Sequence, residues 1–551
     1  MQNVRGVDAE PSRSLLHKWS VCGRGPENTM TKGTNGAPAN TPHFLRRDWG
    51  GAMLIFLVAV ALDIPFRSRF AYQWDSAEFT LAIREYNVAL SQPHAPGYFL
   101  YVMLGRLVNC FVGDPHGSLV WLSVLGGSSL VALLYVVGVE MFGRRVGWVA
   151  ALFGMTSPQV WFHSCVALMY VVDGFLVCLA VLCCWRALRH GCRWADAVMI
   201  GGVLAIIGGV RPQTVPGLAP LVVYVFWRSP KQRLAKLAGA FCVCASGTLV
   251  WLVPMVRMSG GWAVYAEAFH RPATLYAAVT FARGGIDALL WNVFFAGLYC
   301  WNGLALGVGL LTGALIKRVR MDGERKESWD AAHREALRVL ALWIAPMMLM
   351  GTVVALTTQP GHVLSYLPAW IILVAVVASQ LRKPAVFAVV TAIACMTNAA
   401  AFLVLPQAWA GVFYGTARTA REIRGHDRQL ARIVHAIRVQ LSPADTLVCH
   451  AQEYLPLGLR HLQVYLPEFE QYQLAIDASM LSPVGKPMMR VRGGRLDFAA
   501  GTDLTGRRVL ALIVPHGTSL KDYARYLDVR QATSLPGSEG SVYTVRVEAM
   551  R

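Results

Sequence analysis

Residues 118–140 have the sequence SLVWLSVLGGSSLVALLYVVGVE, an apolar stretch with no charge before its last residue. A helix of about 20 such residues spans the hydrocarbon core of a bilayer. Similar stretches recur between residues 50 and 405, so the chain is predicted to be an all-α polytopic membrane protein. The predicted spans are 52–66, 97–112, 118–140, 146–162, 165–185, 195–210, 213–227, 237–256, 288–316, 339–357, 363–380 and 385–405.

The composition supports a membrane protein and argues against nucleic-acid binding. Of the 551 residues, 55% are hydrophobic and only 15% are charged. The net charge of +19 comes from Lys and Arg in short loops between apolar segments, not from one basic face. We therefore expect membrane lipids and not nucleic acid as partners. The twelve cysteines lie mostly in apolar segments, where they behave as small hydrophobic residues, and they show no zinc-ligand pattern.

The basic clusters also predict the orientation. Because Arg46 and Arg47 precede the first span, the N-terminus should be cytoplasmic and the first outer loop, residues 67–96, extracytoplasmic. If every basic cluster is cytoplasmic, the chain must cross the membrane an even number of times between any two clusters, and the twelve predicted spans do not allow this. One span boundary is therefore wrong, and we expect eleven to thirteen spans. Two places can account for this mismatch: a missed or re-entrant helix around 76–112, or the short pair of spans at 195–227.

Three regions follow from these patterns. Residues 1–48 lack periodic hydrophobicity and predict a disordered cytoplasmic tail, whereas residues 49–406 form the transmembrane domain. Residues 407–551 predict a small extracytoplasmic α/β domain, with helical spacing over 416–441. Its predicted strands are Thr446–Cys449, Val509–Val514 and Ser541–Val547.

The first outer loop begins with Trp74-Asp75-Ser76-Ala77-Glu78-Phe79, which has two interpretations. Asp75 as helix N-cap, with Glu78 three residues later and Trp74 facing Phe79, would form a capping box and a hydrophobic staple. Alternatively, an ionised Asp75 at the membrane boundary stays hydrated and close to a substrate held in the lipid. The two interpretations are compatible, because a cap does not exclude catalysis.

The residues that follow carry a family resemblance. Asp75-Ser76-Ala77-Glu78-Phe79, Pro93-His94-Ala95-Pro96-Gly97-Tyr98-Phe99-Leu100-Tyr101 and Leu104-Gly105-Arg106 resemble a three-part pattern: Asp-Ser-Gly-Glu-Phe, His-Pro-Pro-Gly-Tyr-Pro-Leu-Tyr and Leu-Gly-Arg. Ala95 and Phe99 stand where that pattern has proline. The pattern belongs to a family of GT-C membrane glycosyltransferases related to protein O-mannosyltransferases. The resemblance implies a GT-C-like fold and an integral-membrane enzyme, here in the bacterial cytoplasmic membrane.

The resemblance also implies a mechanism. GT-C enzymes take a sugar from a polyprenyl-phosphate donor, and an acidic residue of the first outer loop deprotonates the acceptor hydroxyl, with inversion at the anomeric carbon. Asp75 matches that base and Glu78 would position Asp75 or the acceptor, while His94, Tyr98 and Tyr101 would line the pocket. The acceptor is a hydroxyl of a protein, a lipid or a cell-envelope glycan. No cofactor is expected, because the lipid-linked donor is a substrate.

The leaving phosphate needs cationic stabilisation, and the candidate residues also have structural interpretations. Arg106 and Arg211 could bind phosphate or be ordinary charges at the membrane interface. His270 and Arg271 lie in the long outer segment 258–285, where donor binding and a solvated loop are both compatible with the pattern. Substrate contact and a turn are likewise both possible for His362 and Tyr366.

The sequence lacks the usual spacings of a metal site, and two other functional classes are alternatives to the enzyme. No HxxxH or HExxH spacing occurs, and Asp75 with Glu78 alone provides too few oxygen ligands for a hard cation, so we expect no metal. A transporter or lipid flippase is the main alternative, but it would concentrate ionisable residues midway through broken helices, whereas here they lie at outer ends. A scaffold with a decayed active site is a third possibility.

Overall fold

The computed structural model describes most of the chain after residue 40. The described residues are 41–277, 280–320, 331–354, 359–404, 419–450, 458–475, 487–492, 495–498, 506, 508–514, 520–523 and 531–546. The predicted N-terminal tail lies outside this set, except for Thr41 to Asp48, which begin the first helix. The described residues from Asp48 onward belong to one unit.

The membrane domain is helical, as predicted. Its helices are α1 Thr41–Asp63, α2 Trp74–Arg84, α3 Phe99–Val112, α4 Pro115–Phe142, α5 Arg144–Thr156, α6 Pro158–Ser164, α7 Tyr170–Arg189, α8 Trp194–Val210, α9 Val215–Trp227, α10 Arg233–Met258, α11 Trp262–Ala277, α12 Phe281–Leu304, α13 Gly307–Arg320, α14 Ala331–Leu349, α15 Leu367–Ser379 and α16 Pro384–Val404.

Fewer of these helices have full membrane-spanning length than the sequence predicted. Among the described residues, six are long and apolar enough to cross a bilayer, or seven if α12 and α13, bent by 106°, form one broken span. The remaining predicted spans are shorter. For example, 146–162 is divided into α5 and α6 because Pro158 begins a new helix, and 97–112 contains only the 14 residues of α3.

The central helix α4 shows how the sequence defines its own boundaries. Asp114 caps the helix, its side chain accepting a hydrogen bond from the Gly117 amide at 2.7 Å, and Pro115 occupies the first turn. Gly143, at φ 97°, ends it. A β-carbon at Gly138 would lie 2.8 Å from the α-carbon of Gly147, so small residues allow α4 and α5 to pack closely.

The C-terminal region is a small α/β domain, which confirms the prediction of its class and of its main helix. It contains helices α17 Ala420–Gln440 and α18 Leu459–Tyr465. The strands among its described residues are β1 Thr446–His450, β2 Glu470–Ala475, β3 Pro487–Arg492, β4 Arg495–Phe498, β5 Val509–Ile513, β6 Thr533–Ser534 and β7 Val542–Arg546.

These strands form one mixed sheet of order β4-β3-β2-β1-β5-β7-β6. Strands β3, β2, β1 and β5 are parallel, and β4, β7 and β6 pair antiparallel at the two edges. Leu430 and Ile433 of α17 pack in one core with Val448 of β1 and Ile513 of β5. This core is separate from that of the membrane domain, but one segment of the first outer loop connects the two.

Residues 67–72, which immediately precede α2, are bound by the C-terminal domain. The backbone amides of Arg69 and Phe70 donate to the two carboxylate oxygens of Asp427 at 2.9 and 3.0 Å. The amide of Ala71 donates to the hydroxyl oxygen of Tyr465 at 2.6 Å. These side chains accept hydrogen bonds from the backbone amides of residues 69–71, as the carbonyl groups of a neighbouring strand would.

His461 of α18 adds a further contact to this segment. Its Nδ1 accepts a hydrogen bond from the Gly458 amide at 3.1 Å, and its Nε2 lies 3.0 Å from the carbonyl oxygen of Ala71. Burial, and then the neighbouring His426, lowers the pKa of His461 well below its usual value. The ring is therefore neutral, with its single proton on Nε2 donated to Ala71.

We expect Asp427→Ala to loosen the segment that leads into α2, because the partly buried amides of Arg69 and Phe70 lose hydrogen bonds to a carboxylate, which are typically worth about 1.5–3 kcal/mol each. Hydrogen–deuterium exchange of a peptide covering residues 67–72 should become faster. Arg428→Ala, an exposed neighbour on the same helix, is the matched control and should leave exchange unchanged. Equal exchange in both variants would contradict the assigned role of Asp427.

Candidate active site

The helix that carries Asp75 begins earlier than predicted. Helix α2 starts at Trp74 with Gln73 as N-cap, so Asp75 lies in the first helical turn and makes no cap. The predicted capping box is therefore wrong. Instead of packing as a staple, Trp74 donates its indole N–H to Oε1 of Glu78 at 2.7 Å. The early start leaves the Asp75 carboxylate available for other contacts.

Glu78 is the buried centre of the site. Its side chain is 1% exposed, so its charge must be compensated by nearby donors. Oε2 accepts the backbone N–H of His94 at 3.1 Å and lies 2.5 Å from Nδ1 of the same residue. Together with Trp74, these donors bind both carboxylate oxygens. Glu78 thereby joins α2 to the turn that carries His94.

That turn, Pro93 to Tyr98, is held from two sides. Gly97 has φ +105°, and a β-carbon there would lie 2.7 Å from the hydroxyl of Tyr86, so only glycine fits. The same hydroxyl donates to the carbonyl oxygen of Gly97 at 2.7 Å. From α11, the Tyr265 hydroxyl donates to the carbonyl oxygen of Pro96 at 3.2 Å. The segment predicted as a long outer loop is thus partly a helix that covers this turn.

Asp75 and His94 are the partly exposed members of the site. Their side chains are 23% and 22% exposed, and Oδ1 of Asp75 lies 3.9 Å from Nδ1 of His94. Burial alone would lower the pKa of His94, but the charges of Glu78 and Asp75 and the hydrogen bond to Glu78 outweigh it and raise the pKa to about 9. Burial raises the pKa of Asp75, and the charge of His94 partly opposes that rise.

Three further predicted residues surround this cluster but are more enclosed. The rings of Tyr98 and Tyr101 pack edge-on against Phe79 at 5.4 and 4.9 Å, and their exposed fractions are 6% and 0%. Arg106 donates from Nη2 to the carbonyl oxygen of Ala82 at 3.0 Å, which joins α3 to the last turn of α2. These contacts support the scaffold of the site.

Arg211, His362 and Tyr366 belong to a second cluster. Nη1 of Arg211 lies 3.3 Å from Oδ2 of the fully buried Asp173, and its guanidinium lies 5.3 Å from the ring centre of Tyr170. His362 packs edge-on against the same ring at 5.5 Å. Tyr366 is 2% exposed and follows the 3-10 turn that carries His362. Arg211 and His362, which are distant in sequence, therefore come together around the ring of Tyr170.

A series of ring contacts connects the two clusters. Tyr72, two residues before α2, contacts Phe162 at 5.0 Å, and Phe162 contacts His163 at 5.2 Å. His163 then contacts Tyr170, the centre of the second cluster, at 5.5 Å. Packing on α6 therefore relates the position of the first outer loop to that of Arg211.

His270 is not part of either cluster in the contacts of the described side chains. His270 and Arg271 both lie on α11, and His270 is exposed with its ring 6.5 Å from that of Phe269. The side chain of Arg271 lies outside the described part of the structure. Their predicted role in donor binding stays a prediction.

Two important charged residues were not identified from the sequence. Asp173 lies within the apolar segment 165–185, where an ionisable residue is by itself a sign of function, so it could have been found. Arg460 of α18 is 0% exposed, and its Nε lies 3.9 Å from Oε1 of Glu78. No local pattern distinguishes Arg460 from the many exposed arginines of that region.

The cluster of Asp75, Glu78 and His94 provides three possible metal ligands. One ligand atom each from Asp75, Glu78 and His94 lies within 4.8 Å of the others. His94 is an addition to the two carboxylates considered from the sequence. However, a cation bound there would have to displace the His94 proton from Glu78, and the raised pKa of His94 opposes that exchange.

Comparison with solved structures finds proteins with a similar fold. ArnT from Cupriavidus metallidurans bound to undecaprenyl phosphate matches with a TM-score of 0.52 at 12% identity, over 92% of this chain and 98% of that chain. The chain has a GT-C-like fold. The apo state of the same ArnT matches with a TM-score of 0.52 at 14% identity, over the same shares of both chains.

The other comparisons add little to this result. The oligosaccharyltransferase of Archaeoglobus fulgidus, in a complex with Zn and sulfate, matches with a TM-score of 0.45 at 12% identity, over 88% of this chain and 70% of that chain. No protein-family model and no curated protein sequence matches the chain. The GT-C-like fold implied by the motif resemblance is thus confirmed by structure alone.

The Glu78–His94 pair should make stability depend on pH. Since the pKa of His94 rises from its usual value near 6.5 to about 9 on folding, the pair stabilises fully below about pH 6.5 and is lost as the pH rises through about 9. The thermal unfolding midpoint should therefore fall more steeply between pH 7 and 10 in the wild type than in His94→Gln. Parallel curves for the two proteins would sink this assignment.

Proposed function

We propose that this GT-C-like protein is an inverting glycosyltransferase. It transfers a sugar from a polyprenyl-phosphate donor to a hydroxyl of a protein, lipid or cell-envelope glycan, on the extracytoplasmic side of the bacterial cytoplasmic membrane. The observation that carries the proposal is the partly exposed carboxylate of Asp75, held at the start of α2 beside the Glu78–His94 ion pair. The undecaprenyl phosphate bound to the structurally similar ArnT supports a lipid phosphate as donor carrier.

Asp75 is the base of the reaction. Its carboxylate takes the proton of the acceptor hydroxyl as the oxygen forms a bond to the anomeric carbon and the bond from that carbon to the donor phosphate oxygen breaks. Polyprenyl phosphate leaves with the negative charge. Burial raises the pKa of Asp75, which makes its carboxylate a stronger base, and the charge of His94 opposes part of that rise. His94, paired with Glu78, orients the carboxylate.

The second cluster provides the cation for the leaving phosphate. Arg211 is 12% exposed and is held between the carboxylate of Asp173 and the face of Tyr170, a geometry that fixes the direction of its guanidinium. A fixed cation stabilises developing phosphate charge without reorganisation during the step. His362, against the same ring, is placed to contribute a second polar group.

Asp75→Asn should fold and express like the wild type and transfer sugar slower by roughly 10²–10⁴-fold, because an amide cannot accept the proton. The measurement is transfer of radiolabelled sugar from polyprenyl-phosphate donors by purified protein in lipid nanodiscs. Glu85→Gln, an exposed acidic residue at the end of the same helix, is the control and should keep wild-type activity.

Wild-type turnover by Asp75→Asn would refute the assignment of the base. If the wild-type protein transfers no sugar from any donor but moves lipid or solute across vesicles, a transporter is the correct class. A deletion strain analysed for glycans and glycolipids would identify the linkage that is lost, and with it the sugar and the acceptor.

Transfer should continue in the presence of EDTA, because the proposed mechanism uses only Asp75, the charges around it and Arg211. The same nanodisc assay compares EDTA-treated protein with protein supplied with Mg²⁺, Mn²⁺ or Zn²⁺. Loss of activity on chelation and its return with one of these ions would show that Asp75, Glu78 and His94 hold a metal in the active state.

A further inference from the structure

Arg460 is a fully buried cation that comes from outside the membrane domain. It belongs to α18 of the C-terminal domain, and its side chain is 0% exposed. Removing a guanidinium from water costs several kcal/mol unless charge and hydrogen bonds compensate it, and an apolar residue of similar volume often stabilises a fold equally well. Its placement therefore suggests a role beyond stability.

The guanidinium of Arg460 contacts the loop that carries the active site. Nη2 donates to the carbonyl oxygen of Leu90, in the turn between α2 and His94, and Nη1 donates to Oε1 of Gln463 at 2.7 Å. Nε lies 3.9 Å from Oε1 of Glu78. Arg460 thus touches the loop on one side and faces its central carboxylate on another.

Glu78 lies between two cations as a result. Its Oε1 faces Trp74 and Arg460, and its Oε2 faces His94. With the 3.9 Å contact from His94 to Asp75, charges of alternating sign follow one another from Arg460 through Glu78 and His94 to Asp75. A change at either end of this series alters the orientation and charge of the groups between.

We propose, on the basis of the proposed function, that Arg460 is a positioning residue supplied by the C-terminal domain: it fixes the rotation of Glu78, and through Glu78 that of His94, so that the Asp75 carboxylate faces the acceptor. The membrane domain then carries the base, Asp75, but the C-terminal domain is needed to orient it. Arg460 itself does not contact the substrate.

The electrostatics of the turn agree with this role. The charged groups facing His94 are Asp75 and Glu78 of α2 and Arg460 of α18, and the positive charge of Arg460 lowers the His94 pKa. Neutralising Arg460 should therefore raise the pKa of His94 above about 9. The phenols of Tyr86 and Tyr265 also face this turn, but burial raises the pKa of both, so they stay protonated in this range.

The test compares Arg460→Gln, Arg460→Met and Arg460→Lys in full-length protein. Gln and Met should lower the rate of transfer by more than about tenfold, with most of the effect in kcat, because a displaced base costs turnover more than binding. Lys retains the charge and should recover most of the rate. Arg438→Gln, which removes a half-exposed arginine of the same domain paired with Glu468, should behave as the wild type.

A second measurement does not depend on transferase activity. The pKa of His94 is measured by NMR titration of ¹³C-labelled histidine, with the His94 signal assigned by its loss in His94→Gln. The pKa should be higher than in the wild type in Arg460→Gln and Arg460→Met, and close to the wild-type value in Arg460→Lys. Met, which has no unsatisfied polar group, keeps the test available if the Gln variant does not fold. If the His94 pKa shifts in the Arg460 variants but the wild-type protein transfers no sugar, the link from Arg460 to His94 stands and the proposed function is refuted.

An unchanged His94 titration together with wild-type turnover in a folded neutral variant would overturn the inference. The inference would also be overturned if Arg460→Gln and Arg460→Met lost thermal stability but kept the wild-type His94 titration and kcat, because a purely structural arginine would give that result.

Discussion

The carboxyl group of Glu78 is buried where water cannot solvate it, and the rest of the site is arranged to pair with its two oxygens. Trp74 binds one oxygen, His94 binds the other through its backbone and its ring, and Arg460 faces the first oxygen from a different domain. Removal of one partner from such a group leaves an uncompensated charge, which typically costs about 3–5 kcal/mol. The position of α2, the turn at 93–98 and α18 are therefore fixed together.

This constraint explains how a short loop becomes rigid enough for the proposed catalysis. Loops are normally the mobile part of a protein, and a base must be held within a fraction of an ångström of its working position. Here the C-terminal domain binds residues 69–71 before α2, and α11 covers the turn after it. Asp75 is left partly exposed on a segment that is held at both of its ends.

The sequence predicted the class of the fold, and it grouped Asp75, Glu78 and His94 as candidate site residues, because both inferences depend on local patterns. Apolar length predicts membrane helices, alternation and helical spacing predicted α17 and the strands β1, β5 and β7, and the Asp75 and His94 motifs lie within one short segment. The number of full spans differed because helix length depends on breaks such as Pro158, which hydropathy averages over. Contacts between distant segments, such as those of Arg460 with Glu78 and of Arg211 with Asp173, have no local signature.

The central claim is that the Asp75 carboxylate faces the reacting sugar, and a substrate-bound structure tests it most directly. Cryo-electron microscopy of the protein in nanodiscs with a non-hydrolysable polyprenyl-phosphonate sugar should show the anomeric carbon beside α2, with room for an acceptor oxygen about 2.6–3.2 Å from Asp75. The phosphonate should lie against Arg211. A donor bound away from α2, or an Asp75 separated from the sugar by protein, would contradict the account.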